Sequence, residues 1–129
     1  MAGELEAVVR QLFDSLDRKD LATMMSAVAD EAQGVDEVSR EWLRGREAFN
    51  EYLGGLLPMV EDVASELRDV RETVLGDTGI VTCWLEQDYT VEGTRHHVSA
   101  PTSVVLRNGE DGWKVVLFHS IPLPEAEGA

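Results

Sequence analysis

Apolar residues at the front of the chain recur at steps of three and four. Leu5, Val8, Val9, Leu12, Phe13 and Leu16 therefore share one face of a helical period and predict a first helix. Asp17, Arg18 and Lys19 end that stripe. Asp20 is then placed to cap a second, shorter helix, because its carboxylate can accept a free backbone N–H; the stripe of that helix is Leu21, Met24, Met25 and Val28. A third helix is predicted from near Gly45, with Phe49, Tyr52, Leu53, Leu56 and Leu57 turned inward. Gly54-Gly55 weakens its last turn and Pro58 stops it.

Beyond Pro58 the period shortens. Residues from about Glu61 to Leu75 are rich in Val, Leu, Thr and Arg and alternate imperfectly, which predicts a long strand with a bulge. Gly76-Asp77-Thr78-Gly79 signals a turn, and Ile80 to Val91 a second strand. Glu92-Gly93 is the next turn, Thr94 to Arg107 the next strand, and Trp113 to Ile121 the last strand after Asn108-Gly109-Glu110-Asp111-Gly112. Pro122, Pro124 and the residues to 129 are expected to fray. Helices followed by a meander of antiparallel strands predict an α+β fold, with the helices on one face of the sheet and residues 1–129 forming one domain.

If Glu92-Gly93 is a two-residue hairpin turn, Asp88 faces His97, Glu86 faces Ser99, Trp84 faces Pro101 and Thr82 faces Ser103. That face is polar with a tryptophan. The other carries Val81, Cys83, Leu85 and Tyr89 opposite Val104 or Thr102, Ala100, Val98 and His96, and is mostly apolar. Two arrangements follow. Either the polar face is solvated while the apolar one packs on the helices, or the polar face lines a cavity while the apolar one meets another subunit. Alternation by itself favours the first, and a one-residue change in the turn would exchange the faces.

Charge narrows the partners. The chain has 25 acidic against 11 Lys and Arg residues, a net charge of −14, so phosphate backbones and anionic lipid surfaces are repelled; neither nucleic acid nor a membrane is an expected partner. One cysteine, Cys83, leaves no internal disulfide to form, and the acidic start Met1-Ala2-Gly3-Glu4-Leu5-Glu6 is unlike a signal peptide; a cytoplasmic location is expected. His96 and His97 are strand neighbours pointing to opposite faces, so they do not make a metal site, and the glycine pairs match no nucleotide-binding fingerprint. No metal or cofactor is expected.

Several local strings, in order, resemble the nuclear transport factor 2-like superfamily, in its SnoaL-like and ketosteroid-isomerase-like branch. They are Val8-Val9 and Leu16, Asp20-Leu21, Ala29-Asp30-Glu31-Ala32, Gly45-Arg46-Glu47-Ala48, Gly76-Asp77-Thr78-Gly79-Ile80-Val81, Gly112-Trp113-Lys114-Val115-Val116 and His119-Ser120. The resemblance implies a cone-shaped, curved antiparallel sheet wrapped around three helices from the first half of the chain. It also implies a carboxylate base at Asp36, with Leu12 where the family's oxyanion tyrosine stands and Ser103 where its second oxyanion acid stands. Neither can replace those donors in full, and each lost donor typically costs about a hundred- to a thousandfold in rate. The family's steroid isomerisation is therefore not expected here. His119 corresponds to a histidine often present in SnoaL-like proteins.

Two functions remain open. The first is a cofactor-free isomerase, cyclase or dehydratase acting on a small apolar carbonyl compound. Asp36 would take a proton, His119 would relay it, and Ser103, Trp84, Glu86 and Leu12 would hold the substrate. The second is a non-catalytic ligand-binding or dimerisation domain. It would form a homodimer through the sheet, using the apolar face around Val81, Leu85, Val104 and Leu106.

Overall fold

The computed structural model describes residues 3–124. Its elements are α1 (Glu4–Asp17), α2 (Leu21–Ser26), β1 (Val28–Asp36), β2 (Leu43–Arg44), α3 (Arg46–Leu56), a 3-10 turn (Leu57–Met59), β3 (Val60–Leu75), β4 (Thr78–Val91), β5 (Thr94–Gly109) and β6 (Gly112–Ser120). The strands form one curved, open sheet in the order β2-β1-β6-β5-β4-β3. Pro122–Pro124 carry no regular structure, and the rest of the tail expected to fray lies outside the described residues.

The helix starts obey local chemistry. Asp20 caps α2 as expected: its Oδ1 accepts the Thr23 backbone N–H at 3.2 Å and its Oδ2 the Thr23 hydroxyl at 2.7 Å. Val28 departs from expectation, for α2 ends at Ser26 and Val28 opens β1. β1 is also the exception to an antiparallel sheet, since it runs parallel to β6. Its buried and exposed positions do not alternate, because the register shifts between Val28 and Gln33. A strand with an interrupted period looks like a loop when read from sequence.

The long hairpin keeps the expected register. Glu92 and Gly93 both have positive φ (50° and 80°), the two-residue turn that matches strand twist. Asp88 accordingly pairs with His97, Glu86 with Ser99, Trp84 with Pro101 and Thr82 with Ser103. β3 is bulged twice, between Glu61 and Ala64 and between Arg68 and Arg71, with Asp62 and Asp69 in the left-handed region.

The apolar face of that hairpin is the core. Leu5, Val9 and Phe13 of α1 pack against Val81, Leu85, Val104 and Leu106. The four residues expected to meet another subunit are thus covered by α1 within the same chain, and all are buried. That placement overturns a dimer contact through Val81, Leu85, Val104 and Leu106. A contact through the sheet would have to use its outer face, where Ile80, Trp84, Val105 and Leu117 stand half-buried. Among the described residues no helix is long and apolar enough to cross a membrane.

One glycine is required where α3 meets the sheet. A Cβ on Gly34 would lie 2.7 Å from Phe49 Cζ and 2.9 Å from the Phe118 carbonyl oxygen, and that oxygen belongs to backbone that cannot swing away. Gly34→Ala is expected to cost about 1–3 kcal/mol of stability through overpacking. Gly55→Ala, in α3 with nothing within 4 Å of its new methyl, should instead gain up to about 1 kcal/mol. Denaturant unfolding of the two variants checks both signs.

Candidate functional site

Between the helices and the concave face of the sheet lies a cavity of about 130 Å³. Its wall is mostly aliphatic and aromatic: Leu12, Leu16 and Met24 from the first two helices, Phe49 and Leu53 from α3, and Val98 from the sheet. An apolar cavity of this order holds a benzene-sized ring. Polar groups enter at a few points only, namely Asp36, Glu37, Tyr52, Gln87, Tyr89 and Ser120.

Asp36 is the last residue of β1, where the chain leaves the sheet beside α3. Tyr52 follows Phe49 by one helical turn and so reaches the same space. Its Oη donates to Asp36, 2.8 Å from Oδ1 and 3.0 Å from Oδ2. Oδ1 also accepts the backbone N–H groups of Val38 at 3.0 Å and Ser39 at 2.8 Å, while the Asp36 N–H donates to Ser39 Oγ at 3.1 Å. Asp36 therefore does two things: it lines the cavity and it folds the loop that follows β1. Burial, then the Asp36 charge and hydrogen bond, push the Tyr52 phenol well above its ordinary pKa, so it remains a proton donor throughout the neutral range.

A second acid–phenol contact stands beside the first. Tyr89 Oη donates to Glu37 Oε1 at 3.4 Å. Its pKa is also raised, by burial first and the Glu37 charge next. Ser120 turns inward and shares a hydrogen bond with Thr102 (2.8 Å), whose hydroxyl donates to the Ala100 carbonyl at 3.1 Å.

Of the other expected site residues, one lines the cavity and four lie on the outer face of the sheet. Leu12 lines the cavity with Asp36. His119 is exposed and pairs with Ser103 on the outer face of the sheet, because it alternates with the inward Ser120. Asp36 and His119 are therefore not brought together. Trp84 and Glu86 share that outer face, since the parity that buries Cys83 and Leu85 turns them out. These four corrections have one cause, which is that the cavity lies on the apolar side of the hairpin.

The outer residues form a polar network of their own. Ser99 Oγ donates to Glu86 at 2.6 Å, His97 lies 2.8 Å from Asp88 and 3.4 Å from Glu86, and the Arg68 guanidinium sits 5.2 Å over the Trp84 ring. The Asp88 hydrogen bond raises the His97 pKa, and the Ser99 hydrogen bond lowers that of Glu86. All of it is solvent-facing and screened. Cys83 is buried in the core, which pushes its thiol pKa up to about 11 and leaves it unreactive. Among the described residues no three His, Cys, Asp or Glu side chains converge as a metal site would need.

Sequence reasoning turned Tyr52 inward but did not pair it with Asp36, and it missed Glu37, Gln87 and Tyr89 as cavity residues. Signals for two of them were present: Tyr52 lies on the inward stripe of α3, and Tyr89 shares the parity of Leu85.

A SnoaL-like domain family matches residues 5–124. The chain belongs to that family. Among solved structures, a candidate dehydratase of the nuclear transport factor 2-like family from Streptomyces avermitilis superposes on this SnoaL-like protein with a TM-score of 0.87. The two are 21% identical, with 95% of this chain and 96% of that one covered. A candidate aromatic ring hydroxylase from Novosphingobium aromaticivorans has a TM-score of 0.87 at 16% identity, with 97% and 90% covered. A ketosteroid isomerase-like protein from Erwinia carotovora atroseptica has a TM-score of 0.79 at 18% identity, with 93% and 94% covered. No curated protein matches the chain. At these identities the likeness is one of fold.

Proposed function

We propose that this SnoaL-like protein binds a small, largely apolar molecule in the cavity and that Asp36 and Tyr52 handle a proton on it. The observation that carries this reading is the pairing of an apolar cavity of about 130 Å³ with a carboxylate–phenol pair in its wall. A carboxylate is a competent general base in such surroundings, and a phenol held in its protonated form can return or share a proton. Chemistry of this kind needs no cofactor, and isomerisation, cyclisation and dehydration all fall within it.

The family's oxyanion arrangement is not reproduced: Leu12 donates no hydrogen bond, Ser103 faces outward, and Tyr52 is turned to Asp36. This weighs against an enolate-stabilising isomerase. A second reading, a binding module without catalysis, is favoured by the same Asp36 contacts. A carboxylate oxygen that already accepts from Tyr52, Val38 and Ser39 is serving the fold.

Phenethyl alcohol, an uncharged ring of suitable size, tests the cavity by NMR on isotope-labelled protein. Saturable shifts are expected for the amides of Val35, Val38, Tyr52 and Val98, and Leu12→Trp should abolish them by filling the space. Shifts confined to the outer residues Trp84, Ser103 and His119 would sink the assignment.

A further inference from the structure

We infer that the molecule this cavity selects carries a positively charged hydrogen-bond donor, an alkylammonium head on a small apolar skeleton. The inference rests on the binding reading above and specifies its ligand.

Donors in the wall are nearly all committed within the protein. The Tyr52 proton goes to Asp36 and the Tyr89 proton to Glu37. Ser120 is bonded to Thr102, whose own proton goes to the Ala100 carbonyl, so Ser120 supplies the proton between them. Gln87 Nε2 donates one of its hydrogens to Ser65 Oγ at 3.0 Å. One amide hydrogen of Gln87 is what remains among these side chains.

Acceptors are in surplus. Among the described residues, Glu37 Oε2 and Gln87 Oε1 accept no hydrogen bond, and Asp36 Oδ2 accepts only from Tyr52, which it shares with Oδ1. A ligand head must therefore bring hydrogens rather than lone pairs, or it leaves these acceptors dry.

Charge points the same way. The wall contains two carboxylates and no Lys, Arg or His. His96 stacks on the Tyr89 ring with centroids 5.3 Å apart but does not line the cavity. Both phenols register the negative potential, since the charges of Asp36 and Glu37 contribute to each raised pKa. A carboxylate ligand would meet that potential with no cation to offset it. An ammonium would gain at least one charge-assisted bond, to the free oxygen of Glu37.

Isothermal titration with three compounds of one skeleton separates the possibilities: phenethylammonium, phenethyl alcohol and phenylacetate. The ammonium is expected to bind about tenfold or more tightly than the alcohol, the increment of one charge-assisted hydrogen bond. Phenylacetate should bind more weakly than either. In Glu37→Gln, which keeps shape and removes charge, the advantage of the ammonium over the alcohol should shrink to about threefold or less. Phenylacetate matching the ammonium, or an ammonium advantage unchanged in Glu37→Gln, overturns the inference. If the alcohol binds and the ammonium gains nothing, the inference alone falls. If no member of the series binds, the cavity reading falls with it.

Discussion

Leu106→Ala is expected to remove about 2–5 kcal/mol of stability, the range for deleting a fully buried leucine where the surroundings cannot collapse. Leu106 has no exposed surface and packs in the cluster that joins α1 to the centre of the sheet. It sits in β5, flanked by β4 and β6, so its neighbours are held by ladders on both sides and relax little into the space. With total stabilities of about 5–15 kcal/mol for domains in general, such a loss is a large share of the whole. Ser103→Ala, on the outer face of the same strand, should stay within about 0.5 kcal/mol. Urea unfolding monitored by circular dichroism measures both. Equal effects at the two positions would contradict the assignment of the concave face as the core.

Asp36→Ala is the second change with a large expected effect, and it acts on loop and cavity at once. It strips the acceptor from the Tyr52 hydroxyl and from the Val38 and Ser39 N–H groups. An abandoned donor costs about 1–3 kcal/mol when buried. Here the groups are only partly shielded and water can replace part of the loss, so a net cost of about 2 kcal/mol is expected.

The pH dependence should change as well. Tyr52 has a folded pKa raised above its unfolded value of about 10, so the stability it contributes is complete below about pH 10 and fades as pH rises towards the folded value. The wild type should therefore lose stability on the alkaline side. Removing the Asp36 charge and hydrogen bond takes away two of the causes of the shift and leaves burial and the Glu37 charge, so the variant's alkaline loss should be shallower. Phenolate absorbance during alkaline titration reads the same change directly, as a Tyr52 midpoint moved down. An unmoved midpoint would mean that the phenol is not bonded to Asp36 in solution.

The fold itself does not single out a chemistry. A candidate dehydratase and a candidate hydroxylase superpose equally well on this chain, at 21% and 16% identity. A fold that leaves a hollow between helices and a curved sheet constrains where chemistry happens and leaves the polar residues in that hollow to decide what it is. In this chain the polar residues lining that hollow are Asp36, Glu37, Tyr52, Gln87, Tyr89 and Ser120.

Much of this was legible before any fold was known, and for local reasons. The α1 stripe, the Asp20 cap, the stop at Pro58 and the Glu92-Gly93 hairpin each follow from a few neighbouring residues. The hairpin alone placed Asp88 opposite His97 and Trp84 opposite Pro101. Asp36 as a cavity residue came from resemblance. What local pattern could not supply was the side on which the helices settle. Whether α1 covers Leu85 or Trp84 depends on a contact made across the whole chain. That one contact moved Trp84, Glu86, Ser103 and His119 out of the candidate site and brought Tyr89 and Gln87 into it. The parallel pairing of β1 with β6 was equally hidden, because its partners are 84 to 87 residues apart and the strand carries no clean alternation. Periodicity decides elements and register; only tertiary packing decides which face of the sheet is inside, because a strand presents two faces and burial against α1 selects one of them.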